Sequence, residues 1–219
     1  IELARSLVAE SCAMPTESSD SRAFPCGPHY WRKMVRIGRQ AADALHYAHS
    51  QRTQHRDIKP ANLLLDAQGV VWITDFGLAK AVDDTHGSQC GNLAGTLRFM
   101  APEQFSGQCD HRSDIYSLGL TLYELLTLQP AFADASRSNL VRKITQEAPC
   151  PLSTLCPGIP RDLQAIVMKA IAREPGDRYQ SAGELACDLQ QFLEDRPVSA
   201  RPMSPLERMW RWARRNRAV

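Results

Sequence analysis

The sequence predicts an α+β domain that is mostly helical and carries one small β-hairpin. Long stretches place apolar residues at helical spacing, whereas only two short apolar runs, at 63–65 and 70–73, have the length of strands. The four residues between these runs, Asp-Ala-Gln-Gly, suit a hairpin turn. With 219 residues, 43% hydrophobic and 23% charged, the composition excludes disordered, collagen-like and coiled-coil classes and allows a sizeable core.

Within residues 30–196, four segments are predicted to be helices. Residues 30–50 carry apolar side chains at helical spacing without an internal proline. The segment that begins near residue 111 is apolar on nearly all its faces, which indicates a buried helix. Two later amphipathic stripes, at 163–171 and 185–193, predict two more helices, and Ser181 with Glu184 forms a capping box at the start of the second.

The seven cysteines are odd in number and include no C-x-x-C pair. This pattern favours neither a disulfide framework nor a zinc site, and we interpret the cysteines as buried hydrophobic residues of a protein in a reducing cytosol. No apolar stretch reaches the roughly 18 residues that a membrane helix needs, and the first residues show no signal-peptide pattern. The sequence as it stands therefore predicts a soluble chain.

The formal charge of +2 is unevenly distributed. Residues 201–219 carry six arginines against Glu207, a balance of +5, which leaves −3 for residues 1–200. The prolines of 197–205 predict a stiff linker, after which Leu206, Met209 and Trp210 share a helical face. Arginines and tryptophans together favour the cytoplasmic approach to a membrane helix over a merely solvated basic helix. Nucleic acid is not expected as a partner of the body of the protein.

Three motifs follow one another along the chain. His55-Arg56-Asp57-Ile58-Lys59-Pro60-Ala61-Asn62 precedes the hairpin, Asp75-Phe76-Gly77 follows it, and Ala101-Pro102-Glu103 comes next. In their order and spacing they match a catalytic loop, a metal-binding motif and an activation segment. The sequence resembles a serine/threonine protein kinase of the bacterial, eukaryotic-like type, over about residues 30–196.

The resemblance implies a role for each motif residue. Asp57 would act as the catalytic base, Lys59 would contact the transferring phosphate, and Asn62 and Asp75 would hold Mg²⁺. ATP and Mg²⁺ are the implied cofactors. Lys59 and Thr96 are typical of kinases that phosphorylate serine or threonine, so proteins with such acceptors are the implied substrates.

Regulation and scaffolding are also implied by the resemblance. Arg56 would pair with a phosphorylated residue of the activation segment, for which Thr85 and Ser88 are the candidates. Six residues are expected to be structural or to support the activation segment: His55, Phe76, Gly77, Glu103, Asp114 and Arg178. His55 has the alternative interpretation of a base, and the pair His46 and His49 that of a metal site without a third ligand; a structural or surface role is favoured for each.

The sequence departs from the family at its beginning. Residues 1–29 contain one glycine, Gly27, and no lysine, so the glycine-rich loop, the strand lysine and the helix glutamate of the nucleotide-binding lobe are not found. We therefore expect a kinase C-lobe without the N-lobe β-sheet, divided into a short helix with a surface insertion at 1–29, the lobe at 30–196 and a basic tail at 197–219. Arg52-Thr53-Gln54 replaces the glycine and apolar residues usual before His55.

Two functions remain open from the sequence. The first is the catalytic lobe of a serine/threonine kinase, which transfers the γ-phosphate of ATP in bacterial signalling and is inactive as an isolated fragment. The second is a binding module without an N-lobe, which recruits substrates or partner kinases through residues 129–146. The tail favours the cytoplasmic domain of a single-pass membrane kinase.

Overall fold

A computed structural model describes residues 27–76 and 96–201. Within these ranges the chain forms helices and one two-stranded antiparallel sheet, so the predicted α+β class with a small hairpin is confirmed. The elements, in chain order, are α1 (Pro28–Ser50), β1 (Leu63–Leu65), β2 (Val71–Ile73), α2 (His111–Thr127), α3 (Arg137–Gln146), α4 (Leu152–Leu155), α5 (Arg161–Ala170) and α6 (Ala182–Leu193). Short 3₁₀ turns lie at Pro60–Asn62, Pro102–Ser106 and Pro175–Asp177.

Helix α2 forms the centre of the described core. All its residues from Ser113 to Thr127 are buried, as its apolar faces predict. The Asp110 carboxylate caps it by accepting a hydrogen bond from the backbone N–H of Arg112 at 2.7 Å. Helices α1 and α5 pack against it, and α6 packs against both of those.

Two glycines allow these helices to approach closely. A Cβ atom on Gly38 of α1 would lie 2.5 Å from Cδ2 of Leu122, and one on Gly119 of α2 would lie 2.6 Å from Cγ2 of Ile171. Because real Cβ atoms do not approach other atoms so closely, any larger residue at either crossing would force its neighbours to shift. The crossings fix α2 relative to α1 and to the residue after α5.

The hairpin pairs Leu63 with Ile73, Leu64 with Trp72 and Leu65 with Val71. Its turn is closed by the Asp66 carboxylate, which accepts hydrogen bonds from the backbone N–H groups of Gln68 and Val70, both at 2.9 Å. The Gln40 side chain ties the hairpin to α1, since its oxygen accepts from the N–H of Val71 and its nitrogen donates to the carbonyl of Gly69. The catalytic-motif residues before and after the hairpin are thereby anchored to the same helix.

Some predictions need correction. Cys156 is buried, but Cys150 and Cys187 are exposed, because they lie in the loop before α4 and on the outer face of α6. The Ser181 hydroxyl accepts from the N–H of Glu184 as expected, whereas the Glu184 carboxylate reaches back to the N–H of Gln180, one residue before the cap.

The segment after α6 also differs from a plain linker. Val198 is buried, and the Asp188 carboxylate accepts hydrogen bonds from the N–H groups of Ser199 and Ala200. The chain therefore stays against the body up to Arg201, whose Nη1 donates to Oδ1 of Asp162 at 2.8 Å. The predicted short helix and insertion before residue 27 and the tail from 202 to 219 lie outside the described residues. No helix in the described ranges has the length and apolarity needed to span a membrane.

Candidate active site

The loop before the hairpin is held by Asp114, in the first turn of α2. The Asp114 carboxylate accepts hydrogen bonds from the backbone N–H of His55 at 2.9 Å and from that of Arg56 at 2.7 Å. The same carboxylate accepts from Nε2 of His49, in α1, at 2.8 Å. Asp114 is only 1% exposed, so these donors replace the water that its charge has lost. One buried carboxylate thus fixes the start of the loop to two helices.

His55 is fully buried and uses both ring nitrogens. Nε2 lies 2.8 Å from the carbonyl oxygen of Thr74, which can only accept, so Nε2 carries the proton. Nδ1 then accepts from the backbone N–H of Asp57 at 3.2 Å. The ring also meets Phe76 edge-on, with centroids 4.6 Å apart. His55 therefore links the segments before and after the hairpin and orients Asp57.

The Asp57 carboxylate has one engaged oxygen and one free oxygen. Oδ2 accepts from Nζ of Lys59 at 2.7 Å and from Nδ2 of Asn62 at 3.1 Å. Oδ1 is buried and has no hydrogen-bond partner among the described residues. Nδ2 of Asn62 also donates to the carbonyl of Asp57 at 2.8 Å, which fixes the backbone beneath the carboxylate. The free Oδ1 is an oriented acceptor without a donor, an arrangement that suits proton abstraction.

Lys59 connects Asp57 to the segment after residue 95. Its ammonium donates to Oγ1 of Thr96 at 3.0 Å as well as to Asp57. The side chains of Lys59 and Asp57 are 22% and 20% exposed, so both can be reached by a ligand. Thr96 therefore lies at the entrance of the site, next to the Lys59 ammonium.

The hairpin brings the two predicted metal ligands towards each other. Asn62 directly precedes β1 and Thr74 directly follows β2, and the N–H of Thr74 donates to the carbonyl of Asn62 at 3.0 Å. Asp75 comes next and exposes its carboxylate, with a backbone φ of 64°. Carboxylate and amide oxygens are ligands that Mg²⁺ accepts, usually together with phosphate and water. Within the described ranges, no group of three His, Cys, Asp or Glu residues could hold a metal ion.

Arg56 adopts the same left-handed conformation, with φ at 67°. Its Nε donates to Oε1 of Gln54 at 3.3 Å, and the Cys109 thiol lies 3.6 Å from the same oxygen. Burial raises the pKa of Cys109, so this thiol resists ionisation. The predicted phosphorylation sites Thr85 and Ser88, and Gly77 of the metal-binding motif, lie outside the described residues.

Glu103 and Arg178 join the activation segment to the loop before α6. Nη1 and Nη2 of Arg178 each lie 2.7 Å from a different oxygen of Glu103, and the Arg178 side chain is completely buried. Arg178 also donates to the carbonyls of Ala172 and Arg173, both at 2.7 Å. Burial raises the pKa of Glu103, but hydrogen bonds from Arg178 and from the Ser113 hydroxyl outweigh it and hold this pKa below its usual range.

The sequence matches the family model described as the protein kinase domain over residues 13–190. The chain belongs to the protein kinase family. Kinases of the bacterial, eukaryotic-like serine/threonine type are among its relatives, as the motifs predicted.

Three of these relatives show the extent of the similarity. The serine/threonine-protein kinase PknB of Mycobacterium leprae is 39% identical over 176 residues, which are 80% of this chain and 28% of that protein. The probable serine/threonine-protein kinase SCO3848 of Streptomyces coelicolor is 42% identical over 72% of this chain, and CPE1738 of Clostridium perfringens 37% over 75%. The kinase chain described here spans 24–28% of the length of these relatives.

The sequence assigns no specific contact to two residues of this candidate site. The sequence favours a surface or core role for His49 over a metal site, and in the structure its Nε2 donates to the Asp114 carboxylate. Gln54 is a polar departure from the family pattern, and its Oε1 accepts from Nε of Arg56. A signal for His49 existed, because a buried aspartate requires more donors than two backbone amides. No comparable sequence signal pointed to Gln54.

Proposed function

We propose that this chain is the catalytic lobe of a serine/threonine protein kinase that transfers the γ-phosphate of ATP to protein hydroxyl groups in bacterial signalling. The observation that carries the proposal is the buried Oδ1 of Asp57, which has no partner among the described residues, beside the partly exposed ammonium of Lys59. Family membership and relatives named as serine/threonine kinases support it.

In this mechanism Asp57 accepts the proton of the substrate hydroxyl on Oδ1 while that oxygen attacks phosphorus. Lys59 stabilises the negative charge that develops on the phosphoryl oxygens. Asn62 and Asp75 offer oxygen ligands for Mg²⁺, which neutralises phosphate charge when it is bound with ATP. His55 takes no proton, because Nδ1 accepts from the N–H of Asp57 and Nε2 donates to Thr74.

Thr96 has a part in substrate choice under this proposal. Its hydroxyl shares the Lys59 ammonium with Asp57 and therefore lies where an acceptor side chain enters. A threonine methyl group and hydroxyl there favour a small aliphatic alcohol over a phenol, in keeping with serine and threonine as acceptors.

We also infer that Arg56 binds a phosphate on Thr85 or Ser88. The Arg56 guanidinium is at present held by the neutral oxygen of Gln54 at 3.3 Å, a long hydrogen bond that a dianionic phosphate replaces with stronger charge-assisted ones. Phosphopeptide mapping of active full-length protein tests this step, which requires at least one of the two residues to be modified.

The decisive experiment is a phosphate-transfer assay on the full-length protein with radiolabelled ATP. Asp57→Asn is expected to lose almost all turnover, whereas Asp43→Asn, which removes an exposed carboxylate paired with Arg39, leaves it unchanged. The isolated chain is expected to transfer little phosphate, because the motifs of the nucleotide-binding lobe are not found in this sequence. Equal turnover of Asp57→Asn and wild type would favour the alternative function, a binding module that recruits partners through residues 129–146.

For the basic tail we propose contact with an anionic membrane surface, with the lobe on its cytoplasmic side. Residues 201–219 carry six arginines and two tryptophans, the composition of a membrane interface. Co-sedimentation with vesicles of mixed phosphatidylserine and phosphatidylcholine tests this contact. The full chain is expected to sediment and a chain ending at Arg201 is not; equal sedimentation of both contradicts the proposal.

A further inference from the structure

A groove of about 340 Å³ lies between α3, α5 and the 3₁₀ turn before α6. Its volume is within the range of ligand-binding clefts, about 300–1,000 Å³. Apolar side chains from several segments form its floor: Tyr116, Phe132, Ile144, Met168 and Ile171. A groove with such a floor binds an apolar side chain by removing the surfaces of both from water.

Carboxylates dominate the rim of this groove. Glu147, Glu174 and Asp177 are exposed there, against one exposed arginine, Arg173. Glu147 is paired with Arg142 at 3.0 Å, whereas no ion pair among the described residues includes Glu174 or Asp177. The groove therefore has an acidic edge beside an apolar floor and favours a ligand that is both cationic and apolar.

The last described residue of the chain contacts α5, the helix that also lines the groove. Nη1 of Arg201 donates to Oδ1 of Asp162 at 2.8 Å. Met168 and Ile171 follow Asp162 by six and nine residues, about 9 and 14 Å along the helix axis at 1.5 Å per residue. An extended chain advances about 3.3 Å per residue, so Leu206, five positions after Arg201, is within about 16 Å of it. The groove is therefore within reach of the tail while Arg201 stays in place.

The tail after Arg201 has the chemistry that the groove favours. Residues 202–219 contain five arginines against Glu207, a balance of +4. Apolar residues recur there at helical spacing: Leu206, Met209, Trp210 and Ala213. The sequence of the tail thus complements the groove in charge and in apolar character.

We propose that residues 206–213 of this chain dock in the groove, with their apolar side chains on its floor and their arginines against Glu174 and Asp177. The docking is intramolecular, because the short span from Arg201 holds the tail at an effective concentration of about 1 mM near the groove. Contact with an anionic membrane would use the same arginines, so the two positions of the tail exclude each other.

Docking there places the tail behind the anchor of the activation segment. The Tyr116 ring on the floor of the groove lies 4.6 Å from the guanidinium carbon of Arg178, which pairs with Glu103. An occupied groove therefore adds packing next to that buried pair.

The test is disulfide trapping in the full chain, without lipid. Cys150 is exposed next to Pro149 at the edge of the groove, and Cys187 is exposed on α6, outside it. Met209→Cys introduces a thiol into the tail, diamide oxidises pairs of thiols to disulfides, and peptide mass spectrometry identifies the partner of the introduced thiol. This thiol is expected to pair with Cys150 about ten times as often as with Cys187, because docking raises its effective concentration at one of the two.

Two pairs of substitutions test the charges. Glu174→Lys with Asp177→Lys reverses the acidic edge and is expected to abolish the preference for Cys150. Arg208→Glu with Arg211→Glu is expected to have the same effect, and since it changes no residue of the body, misfolding of the body does not account for the loss. All four substitutions together are expected to restore the preference.

The matched control is Asp43→Lys with Glu194→Lys. It changes the net charge as much as reversal of the acidic edge does, at two exposed residues outside the groove, and is expected to leave the preference for Cys150 unchanged.

Equal pairing with Cys150 and Cys187 overturns the proposal, as does a preference that survives reversal of the acidic edge. Disulfides that form mainly between two chains and disappear on dilution place the tail on a second copy and overturn the intramolecular docking. Because trapping needs no phosphate transfer, its outcome is independent of the Asp57 assay.

Discussion

Nε2 of His49 lies 2.8 Å from Oδ2 of Asp114, the carboxylate that also holds the backbone of the loop before Asp57. The contact joins α1 to α2 at the point where both helices support the loop. The position of Asp57 therefore depends on a side chain in α1 that the kinase motifs do not include.

Asp114→Asn should disturb this arrangement with almost no change in shape. An amide replaces one accepting oxygen with a donor, which then faces the N–H of His55, the N–H of Arg56 or the His49 ring. We expect a loss of about 1–3 kcal/mol in the free energy of unfolding, measured by urea denaturation. Faster hydrogen exchange at the amides of His55 and Arg56 would locate the effect. Asp43→Asn, at an exposed pair, should cost less than about 1 kcal/mol.

Glu103→Gln should destabilise the protein in a pH-dependent manner. The variant leaves the buried guanidinium of Arg178 without its counter-charge, at a cost of about 3–5 kcal/mol near neutral pH. Because the pKa of Glu103 is lower in the folded chain than its ordinary value of 4.5, the carboxylate contributes stability above that pH and loses it in more acidic solution. The stability difference between wild type and variant should shrink as the pH falls below 4.5.

Denaturant titrations at several pH values measure that difference. Glu147→Gln provides the comparison, because its partner Arg142 is exposed and the pair should contribute little at any pH. A difference that stays constant from neutral to acidic pH would contradict the role assigned to the Glu103 charge.

Gly119→Ala should weaken the packing of α2. The new methyl group would lie 2.6 Å from Cγ2 of Ile171 and 2.9 Å from Cβ of Ala170. We expect a net loss of about 1–3 kcal/mol, even though alanine favours the helix more than glycine does. Gly176→Ala has no atom within 4 Å of the added group and should leave the melting temperature nearly unchanged. Equal melting temperatures of the two variants would show that the crossing relaxes freely.

Leu63 and Leu64 should respond very differently to alanine. Leu63 is 1% exposed and packs in the core, whereas Leu64, its neighbour on the other face of β1, is 50% exposed beside Trp72. Leu63→Ala should cost about 2–5 kcal/mol in urea denaturation, and Leu64→Ala should stay within about 0.5 kcal/mol. Similar losses for both would mean that the outer face of the hairpin is covered in solution.

The elements of the fold could be predicted because their patterns are local. The spacing of apolar residues in 30–50 and the turn chemistry of 66–69 agree with α1 and with the hairpin. The exposure of Cys150 and Cys187 could not be predicted in this way, since a cysteine is equally compatible with a buried or an outward position until the packing is known. The docking of Val198 depends on Asp188, which the linker prolines do not indicate.

In the candidate site, the motifs predict which residues lie close together, whereas tertiary contacts determine how their side chains are arranged. Asp57, Lys59 and Asn62 lie within five positions, so their proximity follows from the loop itself. His46 and His49 are the same residue type and lie about one turn apart on α1. Only His49 contacts Asp114, because the crossing of α1 and α2 turns that face of α1 towards it. The spacing of residues in the sequence does not predict the crossing angle of these two helices.

Arg56 and Asp75 share one further property, a left-handed backbone that non-glycine residues adopt at a cost of about 1–3 kcal/mol each. Glycine at either position would relieve the strain and make the fold more stable, but it would delete the guanidinium or the carboxylate that the site presents. The lobe is therefore less stable than it would be with glycine at these two positions. Attempts to raise its melting temperature should nevertheless leave both residues unchanged.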